Sequence, residues 1–503
     1  VLPRILSFVL PLTIYAALGL TAWGIYRQRR CLDGYALALG LAAFLISVAV
    51  RPNQHLLFFD EDIYIQIASN LSHAPVAQLT LLGSPKDIQV STYYKEPAGF
   101  PALLSLVFVF TGTHEIIAFV VARALYGLAV AAVYLLARTV TTSRRQAMVA
   151  AIAFAATPAC FAFSSSAGTD LPAALFACLG IWGIVSDNEA LAVGALGVAA
   201  QTRLEMILLA PLILSARGIA AKWKAWLALL LVPEVVHIGW VLSIAPKLAA
   251  AEHVSSAFSA GYIFKNVREN VSYLFDPRVF PMAVILLSIV GGIYARPSQK
   301  GRLLIAAWFF FLFMVYELFY AGSFNLNPRY SIQLTIPLIL LATSLTTNRL
   351  ALAAIVFSAI LPAIRPWQLP TYVQALASDH KTAVDFAGNV GAKDLVISSE
   401  PEIFLNQGKN AMNAVFASEH VDRIQEAIGK FGRVYYYGGI RTDEAGTEQW
   451  EADRKVKSAF ELHLIESQQF AGLRIAVYQL LQLIHGEGSQ AIGLIFDRQS
   501  DRR

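Results

Sequence analysis

Apolar runs close to the length of a membrane-crossing helix, separated by short basic clusters, leave this chain few folds to choose from. Read with a window of about twenty residues, candidate spans fall at 5–26, 33–50, 116–138, 146–163, 171–187, 189–202, 204–217, 225–244, 281–295, 303–321, 331–346 and 350–365. That makes about twelve helices. Hydrocarbon offers no water to backbone N–H and C=O groups, so only helices or a closed barrel span it, and runs this long select helices. Composition agrees, with 56% hydrophobic and 15% charged residues and a mean hydropathy of +0.56, far from the balance of a soluble domain. The expected class is a polytopic α-helical membrane protein.

Basic residues mark every second connection: Arg27-Gln28-Arg29-Arg30, Arg138 through Arg144-Arg145, Arg217 with Lys222 and Lys224, Arg296 with Lys300 and Arg302, then Arg349. By the positive-inside rule these loops are cytoplasmic and the others face the periplasm or exterior. The net charge of +5 therefore reads as topology, and no nucleic-acid footprint is expected. Cys31, Cys160 and Cys178 lie in or beside apolar segments without metal spacing and read as packing residues. The chain starts at Val1 rather than methionine, which leaves the N-terminal helix count open by one.

Phe100 to Gly112 is apolar but only 13 residues long, about 20 Å of helix against a hydrocarbon core of about 30 Å. A helix lying in the outer interface suits that length and keeps the basic alternation intact. Residues 51–115 then form one long outer loop. Near its start stand three consecutive acids, Asp60-Glu61-Asp62, and before its interfacial helix stands Tyr93-Tyr94-Lys95-Glu96-Pro97. Charge this dense beside a bilayer marks catalysis, a transport path or an ion site; the structural alternative is a solvated loop edge or a helix N-terminus.

After Pro366 the long apolar runs end. Strands are expected at Leu395 to Ser399, Val434 to Tyr437 and Arg474 to Leu480, with helices at Glu419 to Phe431 and Thr442 to Phe460. The expected organisation is a transmembrane domain over 1–366, an α/β soluble domain over 367–482 on the outer side, and a poorly ordered polar tail over 483–503.

Motif order then points to a family. Asp60-Glu61-x-x-Tyr64 followed by Ala68, Lys95-Glu96-Pro97 leading to Thr111-Gly112, Ala122-Arg123, Thr169-Asp170-Leu171-Pro172, Thr202-Arg203-Leu204-Glu205 and Asn327-Pro328-Arg329-Tyr330 before Pro337 together resemble the GT-C superfamily of membrane glycosyltransferases. The likeness is to the protein O-mannosyltransferase and aminoarabinose-transferase branch with its RgtA/B/C/D-like bacterial relatives, and covers roughly residues 50–365. Two departures stand out. Two apparent spans precede the acidic loop where the simplest members have one, and a Lys-Pro pair of the second motif is here Lys95-Glu96-Pro97.

The resemblance implies a multi-pass enzyme of the bacterial inner membrane, moving a sugar from an undecaprenyl-phosphate-like donor to lipid A, a surface polysaccharide or a protein on the periplasmic face by an inverting displacement. Such chemistry needs a carboxylate to deprotonate or orient the nucleophile and cations to stabilise the departing phosphate. Asp60 is the expected base, with Glu61 orienting the acceptor or sharing that role. Arg329, Arg203 and Lys95 are the phosphate-binding candidates, and Tyr64, Tyr94, Tyr330 and Asp170 the substrate-binding ones. Plainer readings stand beside these: an Arg203–Glu205 bridge, a snorkelling Arg329, Lys95 paired with Glu96, and Asp170 as a helix cap. Asp60 and Glu61 are also the oxygen donors that would hold Mg²⁺ or Mn²⁺; some relatives use a divalent cation, others do not, and the sequence leaves this open. Residues 245–280, with Tyr262, Phe264, Lys265 and Arg268, read as a cover for the lipid-sugar site or a passive connector. Glu234 and His237, three apart in a predicted span, read as an interhelical polar contact or a proton-sharing pair. They are the main feature favouring the alternative class, a transporter or flippase of a lipid-linked sugar, whose key charges belong near the midplane.

Overall fold

The computed structural model describes residues 2–53, 55–56, 59–85, 87–216, 218–251, 256–294, 300–363, 371–443, 447–470 and 473–483. The expected boundary at Pro366, the basic residues Arg217 and Arg296, part of the 245–280 loop and nearly all of the polar tail lie outside the described residues. Chain contacts divide the protein into two units: Val1–Leu79 with Ser91–Ala377, and Thr80–Val90 with Ser378–Arg503.

The first unit is helical. Its helices are α1 (Leu2–Arg27), α2 (Gly34–Val50), α3 (Phe59–His73), α4 (Gly99–Thr111), α5 (Glu115–Thr141), α6 (Arg144–Ala156), α7 (Pro158–Ala162), α8 (Asp170–Val185), α9 (Glu189–Thr202), α10 (Ala210–Ser215), α11 (Ala221–Ala251), α12 (Ile263–Leu274), α13 (Met282–Tyr294), α14 (Lys300–Leu318), α15 (Ser331–Ser344) and α16 (Arg349–Ala363). Helix covers the greater part of each apolar stretch picked out in the sequence. Among the described residues, Leu2–Arg27, Glu115–Thr141, Ala221–Pro246 and Gly301–Leu318 are individually long and apolar enough to cross a bilayer. Arg144–Ala156 with Pro158–Ser165, bent by 63°, forms a fifth, broken candidate. The break has a local cause: Thr157 precedes Pro158 and is held extended (ψ 127°), because the proline ring clashes with a helical residue before it.

Packing in this unit uses small residues. Helix α5 lies against α2 and α8, and α9 against α1 and α8; the shared core is rich in alanine, including Ala129, Ala132, Ala174, Ala177, Ala195 and Ala199. A Cβ on Gly40 would come within 2.7 Å of the Gly127 carbonyl oxygen, so the α2–α5 approach requires glycine there. Close backbone contact of this kind is what drives helix association where hydrophobicity gives no preference. Large apolar side chains such as Leu41, Phe357 and Leu350 remain exposed, as a surface solvated by lipid tails requires. Helix α4 has 13 residues, too short to cross; it buries Phe100, Leu104 and Phe108 and exposes Val109 and Phe110.

The second unit is an α/β body. Its strands are β1 (Leu79–Gly83), β2 (Ile88–Thr92), β3 (Leu395–Ser398), β4 (Asn410–Asn413), β5 (Val434–Gly438), β6 (Phe460–Phe470) and β7 (Leu473–Leu483). They form one sheet in the order β2-β1-β4-β3-β5-β7-β6. Strand β3 runs parallel to β4 and β5, while β1–β4, β5–β7 and β6–β7 pair antiparallel. The helices are α17 (Thr371–Asn389), which begins in the first unit, α18 (Pro401–Asn406), α19 (Ala414–Glu419), α20 (Val421–Lys430) and α21 (Glu448–Ala459). The expected strands at 395, 434 and 474 and helices at 419 and 442 are present with shifted ends. The outer loop departs from the expected organisation, which places it wholly in the helical domain. Thr80–Val90 instead joins the second unit, because β1 pairs with β4 at Leu82↔Met412 and Gly83↔Ala411. A short strand whose partner lies more than 300 residues later in the chain leaves no local signal.

Candidate active site

Asp60 lies in the first turn of α3, where a carboxylate is favoured by the positive end of the helix dipole. Its Oδ2 accepts a hydrogen bond from Arg329 Nη1 at 3.1 Å. Arg329 belongs to the single 3₁₀ turn Pro328–Tyr330 that leads into α15; Pro328 fixes the backbone at its start and so the direction of the next two side chains. The two side chains are 15% and 20% exposed, a partly wet pair. Burial raises the Asp60 carboxyl above the ordinary aspartate value in spite of the opposing pull of Arg329. The result is a carboxylate more basic than a surface one.

Tyr330 connects this pair to a second one. The Arg329 and Arg203 guanidinium carbons lie 5.4 and 5.1 Å from its ring centroid, within cation–π range. Tyr316, at the end of α14, stacks on the same ring at 5.0 Å with planes 6° apart. Arg203 follows the last residue of α9 in extended conformation. It donates to Asp170 and, through Nε at 2.6 Å, to Glu205 Oε1, which also accepts from the Tyr316 hydroxyl at 2.9 Å. Asp170 is the first residue of α8 rather than its cap, and its carbonyl accepts from Gln333 Nε2 at 2.7 Å. Arg203 is thus held by two carboxylates. Arg329 has one, and its buried Nε–H has no partner among the described residues; Asp170 Oδ2 and Gln333 Oε1 are buried in the same condition.

The segment before α4 supplies the other cation. Lys95 Nζ is 3.5 Å from Glu96 Oε1, and the Tyr64 hydroxyl donates to Glu96 Oε2 at 3.3 Å. Lys95 also lies 5.9 Å from the Tyr94 ring centroid. Glu96 holds the Lys95 ammonium well above its usual value, against the cost of burial, with Asp60 adding to the effect. Lys95 is therefore a fixed positive charge within the field of Asp60.

The neighbouring acids face elsewhere. Glu61, fully buried, accepts from the Ser166 hydroxyl and lies 3.2 Å from His55 Nδ1. Asp62 lies 3.5 Å from the same nitrogen, and Glu115 contacts His55 Nε2 at 2.6 Å. Burial alone would lower the His55 imidazole, but Asp62 and Glu61 outweigh it and hold it well above the usual histidine value. The structure therefore puts Asp60 and Glu61 to different partners, Arg329 for one and His55 with Ser166 for the other. Each potential Mg²⁺ or Mn²⁺ donor already faces a cation of the chain, so this pair is a poor fit for a shared divalent ion.

Glu234 and His237 lie in α11, and the His237 ring meets Tyr93 and Trp240. Tyr316 and Gln333 are not singled out by the sequence; each sits in an apolar or aromatic run where one polar atom gives no signal. His55 escapes notice there as an isolated histidine in a loop.

Residues 95–240 match the family described as dolichyl-phosphate-mannose-protein mannosyltransferase. In fold, the chain is similar to ArnT from Cupriavidus metallidurans bound to undecaprenyl phosphate (TM-score 0.57, 13% identity, covering 88% of this chain and 97% of that one). The apo state of the same enzyme gives a TM-score of 0.58 at 12% identity with the same coverage. An oligosaccharyltransferase from Archaeoglobus fulgidus aligns more loosely, at TM-score 0.48 and 12% identity over 86% of this chain and 73% of that one. No curated protein matches by sequence. The chain has the fold of the GT-C membrane glycosyltransferases.

Proposed function

We propose that this protein transfers a sugar from a polyprenyl-phosphate carrier to an acceptor hydroxyl or amine at the outer face of a bacterial inner membrane, with about twelve helices crossing that membrane. The observation that carries the reading is the Asp60–Arg329 contact at 3.1 Å with an unspent, buried Arg329 Nε–H beside it. A base and a phosphate-binding fork stand side by side. ArnT, similar in fold, is bound to undecaprenyl phosphate in its crystal structure, which supports the donor class.

In this mechanism Asp60 takes the proton of the acceptor as its oxygen or nitrogen attacks the anomeric carbon. The bond between that carbon and the phosphate oxygen breaks, the configuration inverts, and the carrier leaves as polyprenyl phosphate. Arg329 and Lys95 stabilise the growing charge on that phosphate, where donors already in place cost no reorganisation. Arg203, held by Asp170 and Glu205, fixes Tyr330 and through it Arg329. Tyr64 orients Glu96 and Lys95, with Tyr94 flanking the lysine. Glu61 anchors the start of α3 and so aims Asp60. The acceptor would be lipid A, a surface polysaccharide or a protein.

The test offers purified protein a panel of polyprenyl-phosphate sugars with lipid, glycan and peptide acceptors. Transfer by native protein and its loss in Asp60→Asn are expected. Equal transfer by both removes Asp60 as the base. Passage of labelled lipid across liposomes without any transfer would establish the transporter alternative.

A further inference from the structure

Between β2 and α4 the chain runs from Tyr93 to Ala98 with neither helix nor strand, yet this stretch carries Lys95 and Glu96. Such a strap has to be fixed by its side chains. Glu96 is tied to Tyr64. At the other end, the Tyr93 hydroxyl is 2.5 Å from His237 Nδ1. Tyr93, His237 and Trp240 pack with ring centroids 5.6, 5.1 and 6.0 Å apart. A helix otherwise apolar enough to span a bilayer thus places a histidine, 0% exposed, against the strap.

The polar atoms around this contact are unevenly used. When Nδ1 accepts the tyrosine proton, a neutral imidazole carries its hydrogen on Nε2. That nitrogen is buried without a partner among the described residues, and so is Glu234 Oε1, on a side chain 1% exposed. Three residues apart, the two share one helical face. An unpaired donor and an unpaired acceptor in an apolar span are each costly, and among the described residues these two make no hydrogen bond to each other.

We propose that the Tyr93–His237 hydrogen bond, packed against Trp240, clamps the strap and positions Lys95 for the donor phosphate. His237 accepts from Tyr93, and Tyr93 holds the backbone two residues from Lys95. These are positioning residues, and their role rests on the function proposed above. His237, one of the pair that in the sequence suits a proton path, is thereby engaged in holding a loop.

The experiment uses the full chain in lipid nanodiscs, with two readouts: donor KM and kcat with a polyprenyl-phosphate sugar, and hydrogen exchange of the amides from Tyr93 to Glu96. His237→Leu is expected to raise donor KM about tenfold, roughly the loss of one good hydrogen bond, leave kcat within about twofold, and speed exchange in the strap. His237→Asn, whose side-chain carbonyl can take the Tyr93 proton, is expected to restore both, and also shows that the fold tolerates the position. Combining His237→Leu with Lys95→Ala should add little to Lys95→Ala alone. Unchanged exchange and KM in His237→Leu, or failure of Asn to restore them, would overturn the clamp. If native protein turns over no lipid-linked sugar while exchange still responds, the functional reading and the donor role fall together and only the mechanical contact survives.

Discussion

Asp60 and Arg329 are 269 residues apart in the chain and 3.1 Å apart in the fold. One opens α3 and the other the turn before α15, so the contact joins the outer loop to the last part of the helical unit. A partly buried ion pair gives little net stability, because desolvation offsets the attraction. What this one gains is chemical: a raised carboxylate whose counter-ion keeps a buried N–H that has no partner among the described residues.

The carboxyl value makes a signed prediction. Asp60 must be deprotonated to act as base, and burial raises its value above the ordinary aspartate range. Transfer should therefore fail on the acid limb at a pH above the usual aspartate value of about 3.9, and be constant above it until another group titrates. A pH profile of kcat/KM for the donor measures this. In Asp60→Glu the acid limb should persist with a lower plateau; an acid limb unchanged in Asp60→Asn would assign it to another residue.

Arg329 should not tolerate lysine. A lysine can approach Asp60 but cannot also present the planar fork and the Nε–H. Arg329→Lys and Arg329→Ala are both expected to lower kcat by about a hundredfold or more, the usual cost of removing one preorganised donor. Arg203→Lys should be milder, since Asp170 and Glu205 can both still bind an ammonium. Single-turnover rates with bound donor separate the two, and a lysine at 329 with near-native turnover would refute the fork.

Long apolar runs declared the helices of the first unit, because spanning segments leave a composition no packing context can disguise. Arg203 and Arg329 stood out as charges at the ends of such runs and Asp60 in a cluster of three acids in the outer loop, and motif order grouped them. The divergence of Asp60 from Glu61 was not readable: adjacent helical residues point about 100° apart, and only His55 and Ser166 decide which acid turns inward. Tyr316 and the β1–β4 pairing were equally hidden, one within an aromatic run and the other closed over more than 300 residues.

His55 should govern stability rather than turnover. Its folded-state value is raised well above the ordinary histidine value of 6.5 by Asp62 and Glu61 acting against burial. A histidine raised on folding contributes stability that is complete below its unfolded value and lost as pH rises through the folded one. The thermal transition should accordingly fall as pH climbs above about 6.5. In His55→Leu this slope should flatten. With Glu61 and Asp62 left buried without their cation, the variant should be about 3–5 kcal/mol less stable, measurable by thermal unfolding in detergent. Glu61→Gln is expected to lower stability while kcat at permissive temperature stays within about threefold, since Gln can still hydrogen-bond Ser166 and His55; a hundredfold loss would make Glu61 part of the chemistry.

Gly99 tests how closely the two halves of the site must approach. It begins α4 just after the Lys95 strap, and a Cβ there would collide with the Gln201 carbonyl oxygen and lie 2.5 Å from Thr202 Oγ1. Both contacts are at the end of α9, directly before Arg203. The carbonyl cannot yield without moving the backbone that carries that arginine, so Gly99→Ala forces α4 and α9 apart at the level of the site. Overpacking of this kind costs about 1–3 kcal/mol, and the displacement should raise donor KM as well as lower the thermal transition. Gly19→Ala is the matching control, because among the described residues nothing lies within 4 Å of its added Cβ. It should leave both quantities unchanged, and a Gly99→Ala protein indistinguishable from it would show that Lys95 and Arg203 need no such closeness.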